Sequence, residues 1–260
     1  MKIAGKTVVV TGGASGIGRA MVSKFKQEGA ANIVIADINK DELEEFADEV
    51  GGKPVLVDMS QEEQVKELVK STEKDFGQID LFCGNAGIIF KGGVETTNDK
   101  WEKIWQVNVM AHVYATRHAL PAMLERGDGY FVITASAAGL LSQVGSATYS
   151  VTKHAALALA EWLLITHGAQ GIKVSALCPQ AVESKMTAPT KDGGVAGMDG
   201  MLKAETVADC VVEAIDTERF MILPHAEVEK YFQNKANDYQ RWIRGMQRLQ
   251  EKFGQLPYPD

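Results

Sequence analysis

Short apolar segments alternate with segments of helical periodicity along most of this 260-residue chain. Runs rich in β-branched residues are each followed by a stretch in which apolar residues recur every three to four positions. The predicted strands are 6–11, 32–36, 55–57, 79–83, 130–134, 172–177 and 220–223. This alternation predicts an α/β fold: one doubly wound, parallel, seven-stranded sheet of the Rossmann type with helices on both faces.

Sheets of this kind bind ligands beyond the carboxyl ends of their strands, at the point where the strand order reverses. Several residues with useful chemistry fall at the ends of predicted strands. They are Gly12, Asp37, Asp58, Asn85, Ser136 and Pro179. Their shared position predicts a single ligand site at that edge of the sheet.

A glycine-rich turn, residues 11–18, joins the first predicted strand to a helix with an apolar face. Glycines let a backbone approach a ligand closely, and the N-terminus of the helix offers free N–H groups to a pyrophosphate. The candidate nucleotide contacts in this turn are Gly12, Ser15, Gly16, Ile17 and Gly18. The alternative interpretation is a plain turn without a ligand.

Asp37 ends the second predicted strand, 19 residues after Gly18. That spacing suits an acid that hydrogen-bonds the ribose hydroxyls of a dinucleotide. At about 4 Å and an effective dielectric of about 20, its charge would repel a 2′-phosphate by about 4 kcal/mol. Ile38 and Asn39 follow directly and supply no positive charge, so the position favours NAD over NADP. A second role, which can coexist with the first, is a cap for the predicted helix 40–50.

Tyr149 and Lys153 lie four residues apart in a segment predicted to be helical from residue 149 to about 167. Residues at that spacing share one face of a helix. A free tyrosine has a pKa of about 10, and a nearby cation lowers it. A phenol brought toward neutrality can exchange a proton with an alcohol oxygen. Such pairs are common on helix surfaces, so this pair gains meaning only from the rest of the site.

The net charge of −7 and the lack of a basic run disfavour nucleic acid as a partner. No apolar run reaches about 18 residues, and the N-terminus enters a strand directly, so we expect neither a membrane span nor a signal peptide. We expect Cys83, Cys178 and Cys210 to be buried thiols of a cytoplasmic protein. The histidines show no spacing typical of metal ligands, so no metal is expected.

These features together resemble the short-chain dehydrogenase/reductase family. The turn 11–18 is similar to the cofactor turn of that family, and Asp37 is similar to the acid of its NAD-preferring members. Asp58 matches a residue that contacts the adenine edge. Residues 84–87 resemble an Asn-Asn-Ala-Gly motif, with Gly84 in place of the first Asn. The four catalytic residues of the family are matched by Asn108, Ser136, Tyr149 and Lys153.

The resemblance covers residues 1 to about 222, and it implies a mechanism. Tyr149 would be the acid/base for the substrate oxygen, and Ser136 would hold that oxygen through its hydroxyl. Lys153 would lower the pKa of Tyr149 and bond the nicotinamide ribose. Asn108 would distort its helix locally and hold a water that links Lys153 to solvent. The alternatives are a turn cap for Ser136 and a satisfied backbone group for Asn108.

The sequence departs from the family after the sixth strand, where Pro179-Gln180 stands in place of Pro-Gly. The Gln180 side chain could reach the substrate or narrow the pocket. Val182 and Ser184 stand where the family often has Val and Thr beside the carboxamide. The further expected cofactor contacts are Ile38, Asp58, Met59, Asn85, Ala86, Gly87, Tyr149, Lys153, Pro179, Val182 and Ser184. The expected substrate-lining residues are Ala138, Gln143, Gln180 and Met186.

The C-terminal region differs from the rest of the chain. Residues 184–200 are rich in Gly, Lys, Asp and Met, and we predict a mobile lid there. We expect a dehydrogenase domain, 1–223, followed by a helical extension, 224–260, which carries apolar and aromatic residues near helical spacing. The extension would pack on its own or a neighbouring subunit. A sharper hypothesis is that it also roofs the substrate site.

The sequence therefore predicts an NAD-dependent oxidoreductase that interconverts a secondary alcohol and a ketone of an apolar or aromatic small molecule. A dehydrogenase of polyols or other polar metabolites, and a nucleotide-binding regulator without turnover, are the alternatives. The segment 155–160 is apolar nearly all round, which predicts a homodimer or homotetramer. The resemblance implies that helices 101–125 and 149–167 pack across its two-fold axis.

Overall fold

Seven strands form the central sheet of the computed structural model, which describes residues 1–188 and 192–254. The strands are β1 Thr7–Thr11, β2 Asn32–Asp37, β3 Lys53–Leu56, β4 Leu81–Gly84, β5 Gly129–Thr134, β6 Ile172–Leu177 and β7 Met221–Ile222. Their order is β3-β2-β1-β4-β5-β6-β7, and every neighbouring pair is parallel. The predicted α/β fold is confirmed.

Helices connect the strands and extend the chain beyond the sheet. They are α1 Gly16–Gln27, α2 Lys40–Val50, α3 Glu62–Phe76, α4 Asn98–Trp105, α5 Ala111–Arg126, α6 Ala137–Leu140, α7 Ala147–His167, α8 Ala204–Thr217, α9 Glu227–Asn237 and α10 Tyr239–Phe253. In the described part of the chain, no helix combines the length and the apolar character needed to cross a bilayer.

The sheet is buried on both faces. Successive side chains of a strand point to opposite faces, so Val9 of β1 packs into one core while Val8 and Val10 pack into the other. Residues of α3, α5 and α7 complete the first core, and residues of α1, α2 and α8 complete the second. β1 and β5 are buried along their whole length, which explains their nearly continuous apolar sequences.

The strand order reverses at β1, which has β2 on one side and β4 on the other. The connections that leave these strands therefore diverge beyond their carboxyl ends. A crevice opens there, and the glycine-rich turn after β1 and the segment after β4 form its two sides. This arrangement places the predicted ligand site at the switch point.

Some predicted boundaries were wrong. β3 begins at Lys53 rather than at residue 55, and β4 begins at Leu81 rather than at residue 79. Asp80 precedes β4, and its carboxylate accepts the N–H of Thr7 at 2.8 Å. This side-chain bond ties the start of β1 to the residue that precedes β4.

The helical stretch that begins at Asn98 is interrupted, but Pro121, the residue type most able to break a helix, does not interrupt it. Pro121 lies inside α5, and the interruption is a π-helical turn, Gln106–Met110, between α4 and α5. Asn108 sits in this turn and is fully buried. Turns of this kind often occur at functional sites because the extra residue redirects a side chain.

The C-terminal extension forms two helices, α9 and α10. The break between them is at Asp238, whose side chain accepts the N–H of Arg241 at 2.9 Å and caps α10. Val228 of α9 is fully buried in the core, so the extension packs on its own chain. The extension is helical, as the sequence predicted.

The three cysteines are free thiols. Cys83 and Cys178 are fully buried, as expected, but Cys210 is only partly buried. The prediction of burial was wrong for Cys210 because α8 turns that position toward the edge of the core.

Candidate active site

The glycine-rich turn after β1 has a shape that only glycine permits. Gly12 and Gly16 have φ angles of +61° and +51°, in the left-handed region that side chains disfavour. A Cβ atom on Gly18 would lie 2.0 Å from the carbonyl oxygen of Gly12. Ser15 takes the N-cap position of α1 without using its side chain to cap the helix. The turn therefore exposes backbone at the start of α1, where an anion binds most readily.

Thr11 and Asn85 tie the two sides of the crevice together. The Thr11 hydroxyl accepts the N–H groups of Asn85 at 2.9 Å and Ala86 at 3.1 Å. The Asn85 amide donates to the Thr11 carbonyl at 3.2 Å, and its oxygen accepts the Thr134 hydroxyl at 3.2 Å. Asn85 thus joins β1, β4 and β5, and its side-chain amide forms hydrogen bonds within the protein. Thr11 was not predicted as a site residue, although a hydroxyl at a strand end was the available clue.

Asp37 is held rigidly at the end of β2. Its carboxylate accepts the N–H of Ala14 at 3.0 Å and the N–H of Asn39 at 3.0 Å. The first of these bonds fastens the glycine-rich turn to β2. The cap of α2 is Asn39, whose side chain accepts the N–H of Glu42, so the alternative role of Asp37 as that cap was wrong. The side chain remains partly accessible at the mouth of the crevice.

The neighbouring residues expected at the adenosine end differ in exposure. Asp58 accepts the N–H and the hydroxyl of Ser60 at 2.9 and 2.7 Å, so its carboxylate is fixed in place. Ile38 is 68% exposed beside the crevice. Met59 is buried in the core, which leaves its backbone rather than its side chain to face a ligand.

Tyr149 is positioned by the cap of α7. That helix begins at Ala147, two residues earlier than predicted, and the Ser146 hydroxyl accepts the N–H of Tyr149 at 3.2 Å. The cap fixes Tyr149 in the first turn. There its phenol lies near the hydroxyl of Ser136, which lies past the end of β5. Ser136 in turn donates to the Pro179 carbonyl at 3.3 Å and accepts the N–H of Ala138 at 3.1 Å.

Lys153 lies on the same face of α7 and is almost completely buried. Its ammonium donates to the Thr134 carbonyl at 2.8 Å and lies 5.6 Å from the centre of the Tyr149 ring. Burial lowers the pKa of Lys153 to about 8. Tyr149 and Lys153 therefore lie close together on one face of α7, as their spacing predicted.

The predicted lowering of the Tyr149 pKa by Lys153 was wrong for the protein by itself. Burial raises the pKa of Tyr149, because a phenolate is disfavoured away from water, and the nearby Ser136 hydroxyl opposes this only in part. Lys153 directs its ammonium to Thr134 instead of to the phenol oxygen. The protein alone keeps the proton on Tyr149.

Asn108 secures the segment that follows β4. Its side-chain oxygen accepts the N–H of Ile88 at 2.9 Å, and its amide donates to the Ile88 carbonyl at 2.9 Å and to the Thr152 hydroxyl at 3.2 Å. A Cβ atom on Gly87 would lie 3.3 Å from the Lys153 nitrogen and 3.4 Å from the Asn108 oxygen. The two polar side chains therefore meet beneath Gly87. The predicted distortion around Asn108 is present as the π-helical turn, whereas its water-holding role stays a prediction.

The segment after β6 borders the other side of Ser136. The Pro179 carbonyl accepts the N–H of Ala137 at 2.9 Å. Gln180 directs its amide to Asp199 at 3.1 Å, and its N–H donates to His225 at 3.2 Å. Its side chain thus bonds to the lid, and its backbone N–H bonds to the extension.

The remaining predicted contacts are spread around this centre. Val182 is buried and pairs with Leu202, while Ser184 lies against the glycine-rich turn, 3.4 Å from where a Cβ atom on Gly16 would be. Ala138 is buried in α6, Gln143 donates to the carbonyl of Val144, and Met186 is 43% exposed. Residues 189–191 of the predicted lid lie outside the described residues, and its mobility stays a prediction.

His112 is a buried group that was not predicted as a site residue. A Cβ atom on Gly84 would lie 2.6 Å from its Nδ1 atom, so the imidazole fills the space beside that glycine. Burial, aided by the charge of Lys153, lowers the pKa of His112 to about 3. The departure from the family motif at Gly84 was the clue that a larger side chain packs there. Within residues 1–188 and 192–254, no cluster of three or more His, Cys, Asp or Glu residues could hold a metal ion.

Comparisons with known proteins agree with this geometry. Residues 6–193 match the family described as short chain dehydrogenase. A 1-deoxy-11-beta-hydroxypentalenate dehydrogenase from Streptomyces exfoliatus is 33% identical over 256 residues, covering 94% of this chain and 91% of the relative. A 2,5-dichloro-2,5-cyclohexadiene-1,4-diol dehydrogenase from Sphingobium indicum is 37% identical over 207 residues, covering 78% of this chain and 82% of the relative.

A solved structure is similar over almost the whole fold. It is the crystal structure of a short chain dehydrogenase/reductase from Burkholderia phymatum in complex with NAD, with a TM-score of 0.83 and 29% sequence identity. The match covers 93% of this chain and 96% of that chain.

Proposed function

This chain belongs to the short-chain dehydrogenase family, and we propose that it is an NAD-dependent oxidoreductase that interconverts a secondary alcohol and a ketone. The observation that carries the proposal is the placement of the Tyr149 phenol near the Ser136 hydroxyl, with the buried ammonium of Lys153 on the same helix face as Tyr149. An acid/base, an oxygen-binding hydroxyl and a fixed cation are the groups that this reaction needs.

The proton at the reacting oxygen is carried by Tyr149. Since burial raises its pKa, the phenol is protonated at neutral pH and is ready to protonate the oxygen of a ketone. Ser136 holds the same oxygen, because its hydroxyl lies next to the phenol. In the opposite direction, Tyr149 must accept the proton of an alcohol, which requires a positive charge nearby to stabilise the phenolate.

The residues present fit a dinucleotide. Gly12 and Gly16 adopt backbone angles that open the turn, and Gly18 leaves no space for a side chain. Asp37 stands at the end of β2, where it can accept hydrogen bonds from ribose hydroxyls. When bound, NAD would accept or supply the hydride. The fixed carboxylate of Asp37 supports NAD rather than NADP as the preferred cofactor.

We assign the substrate to apolar or alicyclic small molecules. The names of the two curated relatives, a hydroxypentalenate dehydrogenase and a cyclohexadiene-diol dehydrogenase, support a hydroxyl group on a carbon skeleton. The segment 88–90, Ile-Ile-Phe, is hydrogen-bonded to the Asn108 side chain through Ile88 and offers apolar side chains near the site. A panel of alcohols from aromatic to polyol, with NAD and NADP in parallel, tests both the substrate class and the cofactor.

The variant Tyr149→Phe tests the catalytic role. We expect loss of hydride transfer by at least about a hundredfold, because the proton carrier is removed, while NADH binding measured by fluorescence persists. Tyr239→Phe is the matched control, since Tyr239 is 55% exposed on α10. Turnover by Tyr149→Phe at the wild-type rate would contradict the proposal and favour a nucleotide-binding regulator.

We also propose a homo-oligomer in the cytoplasm. On α7, Val151, Trp162 and Ile165 are 48%, 56% and 82% exposed, and they lie on one face of the helix. A second copy would cover this face. A mass in solution of 28.2 kDa at all concentrations would contradict the oligomer.

A further inference from the structure

The C-terminal extension is attached to the helix that Ser136 begins. Ser136 caps α6, which is a single turn about 6 Å long. At the other end of that turn, the Lys235 ammonium donates to the carbonyls of Leu140 at 2.6 Å and Leu141 at 3.3 Å. Lys235 of α9 therefore satisfies the free carbonyls of the helix that carries a catalytic hydroxyl.

Lys235 also joins the two helices of the extension. Its ammonium lies 4.8 Å from the centre of the Trp242 ring and 5.8 Å from that of Tyr239, both on α10. The two rings are 5.6 Å apart. Cations are attracted to aromatic faces at such distances, so one half-buried side chain fastens α6, α9 and α10 together.

A second attachment reaches the opposite side of Ser136. Asp199, in the lid, accepts the Tyr231 hydroxyl at 2.9 Å and the Gln180 amide at 3.1 Å through its two oxygens. His225 adds a third link, because its Nδ1 atom accepts the N–H of Gln180 at 3.2 Å. Gln180 directly follows Pro179, whose carbonyl accepts the Ser136 hydroxyl.

We propose that the extension is a brace that sets the distance between the two segments flanking Ser136, and that it thereby determines which alcohols the enzyme selects. The proposal rests on the proposed dehydrogenase function. Lys235 holds the α6 side and Tyr231, through Asp199, holds the Gln180 side. Both are positioning residues, since they act through α6 and Gln180. Gln180 takes the place of a glycine in the family pattern, and the brace gives its longer side chain a fixed position.

Two single variants, each with a matched control, test the brace. Tyr231→Phe removes one hydroxyl and Lys235→Met removes one ammonium. Tyr239→Phe and Lys230→Met make the same changes at exposed positions of the extension. Tyr239→Phe removes only the hydroxyl and keeps the ring that faces Lys235. Loss of one hydrogen bond in Tyr231→Phe, or of two in Lys235→Met, should raise KM for the preferred alcohol about three- to tenfold, with a smaller change in kcat and an unchanged Kd for NADH. The controls should match the wild type.

Limited trypsin digestion provides a readout that does not depend on turnover. Lys185 and Lys203 flank the part of the lid that holds Asp199. If the brace holds the lid, cleavage at these lysines should be about three- to tenfold faster in Tyr231→Phe than in Tyr239→Phe, because local opening becomes easier by the loss of one bond.

The outcomes separate the brace from the proposed function. Wild-type values of KM, alcohol selectivity and cleavage rate in both Tyr231→Phe and Lys235→Met would overturn the brace, even in an active dehydrogenase. A wild-type protein without turnover on any alcohol would overturn the proposed function, and the digestion rates would then still decide whether the extension holds the lid. Equal effects in the variants and their controls would also overturn the brace.

Discussion

Cofactor preference should depend on one negative charge, that of Asp37. Replacement by Asn removes the charge and keeps a side chain of nearly the same shape. The remaining amide oxygen can still accept one of the two backbone N–H groups, from Ala14 or Asn39, that hold the carboxylate at 3.0 Å. The variant therefore tests the charge with little disturbance of the turn.

The expected magnitude follows from Coulomb's law. A phosphate about 4 Å from the carboxylate would be repelled by about 4 kcal/mol at an effective dielectric of about 20. Since Asp37 is partly exposed, salt and water weaken this repulsion, and we take about 2 kcal/mol, or about 30-fold, as the gain for NADP. NAD loses a charged hydrogen bond to its ribose, which is worth about 1.5–3 kcal/mol. The ratio of kcat/KM for NAD to that for NADP should fall by about three orders of magnitude.

The assay is steady-state turnover of one alcohol with each cofactor. Asp41→Asn, which removes an exposed charge in the first turn of α2, is the matched control and should leave the ratio unchanged. An unchanged ratio in Asp37→Asn, or a wild-type protein that prefers NADP, would refute the assignment of cofactor preference to this residue.

Two further changes test the geometry of the site and its support. Gly18→Ala places a Cβ atom 2.0 Å from the Gly12 carbonyl oxygen, so it should weaken NADH binding at least about tenfold and lower Tm. The control Gly168→Ala changes a residue with a helical φ of −59° and should do neither. His112 has a folded-state pKa of about 3, below the unfolded value of about 6.5, so its contribution to stability is present at neutral pH and is lost as the pH falls from about 6.5 toward 3. Between pH 7 and pH 5 the free energy of unfolding, measured with urea, should fall by about 2 kcal/mol from this group. In His112→Leu the fall over this pH range should be smaller by that amount. An equal fall in the variant and the wild type would contradict the burial of a neutral imidazole.

The fold was predictable because its determinants are local and periodic. Runs such as residues 7–11, buried at every position, can only be interior strands. The glycine-rich turn and the acid after β2 have a fixed spacing along the chain, so the ligand edge of the sheet was also predictable. Helix boundaries were less so. The distortion at Asn108 was implied by the family resemblance and not by a local pattern, because its side chain bonds to Ile88, which is 20 positions away.

The sequence alone determined the α/β architecture, the edge at which the site forms, and the residue types that could transfer a proton. Their order along the chain was sufficient because each strand end carries its own chemistry. Only the tertiary structure decided the ionisation state of these groups. Burial, which sums over many distant neighbours, raises the pKa of Tyr149 and lowers that of Lys153. The tertiary structure also decided that the C-terminal extension contacts both flanks of Ser136. Leu140 and Lys235 are 95 residues apart and meet only through the packing of the whole chain.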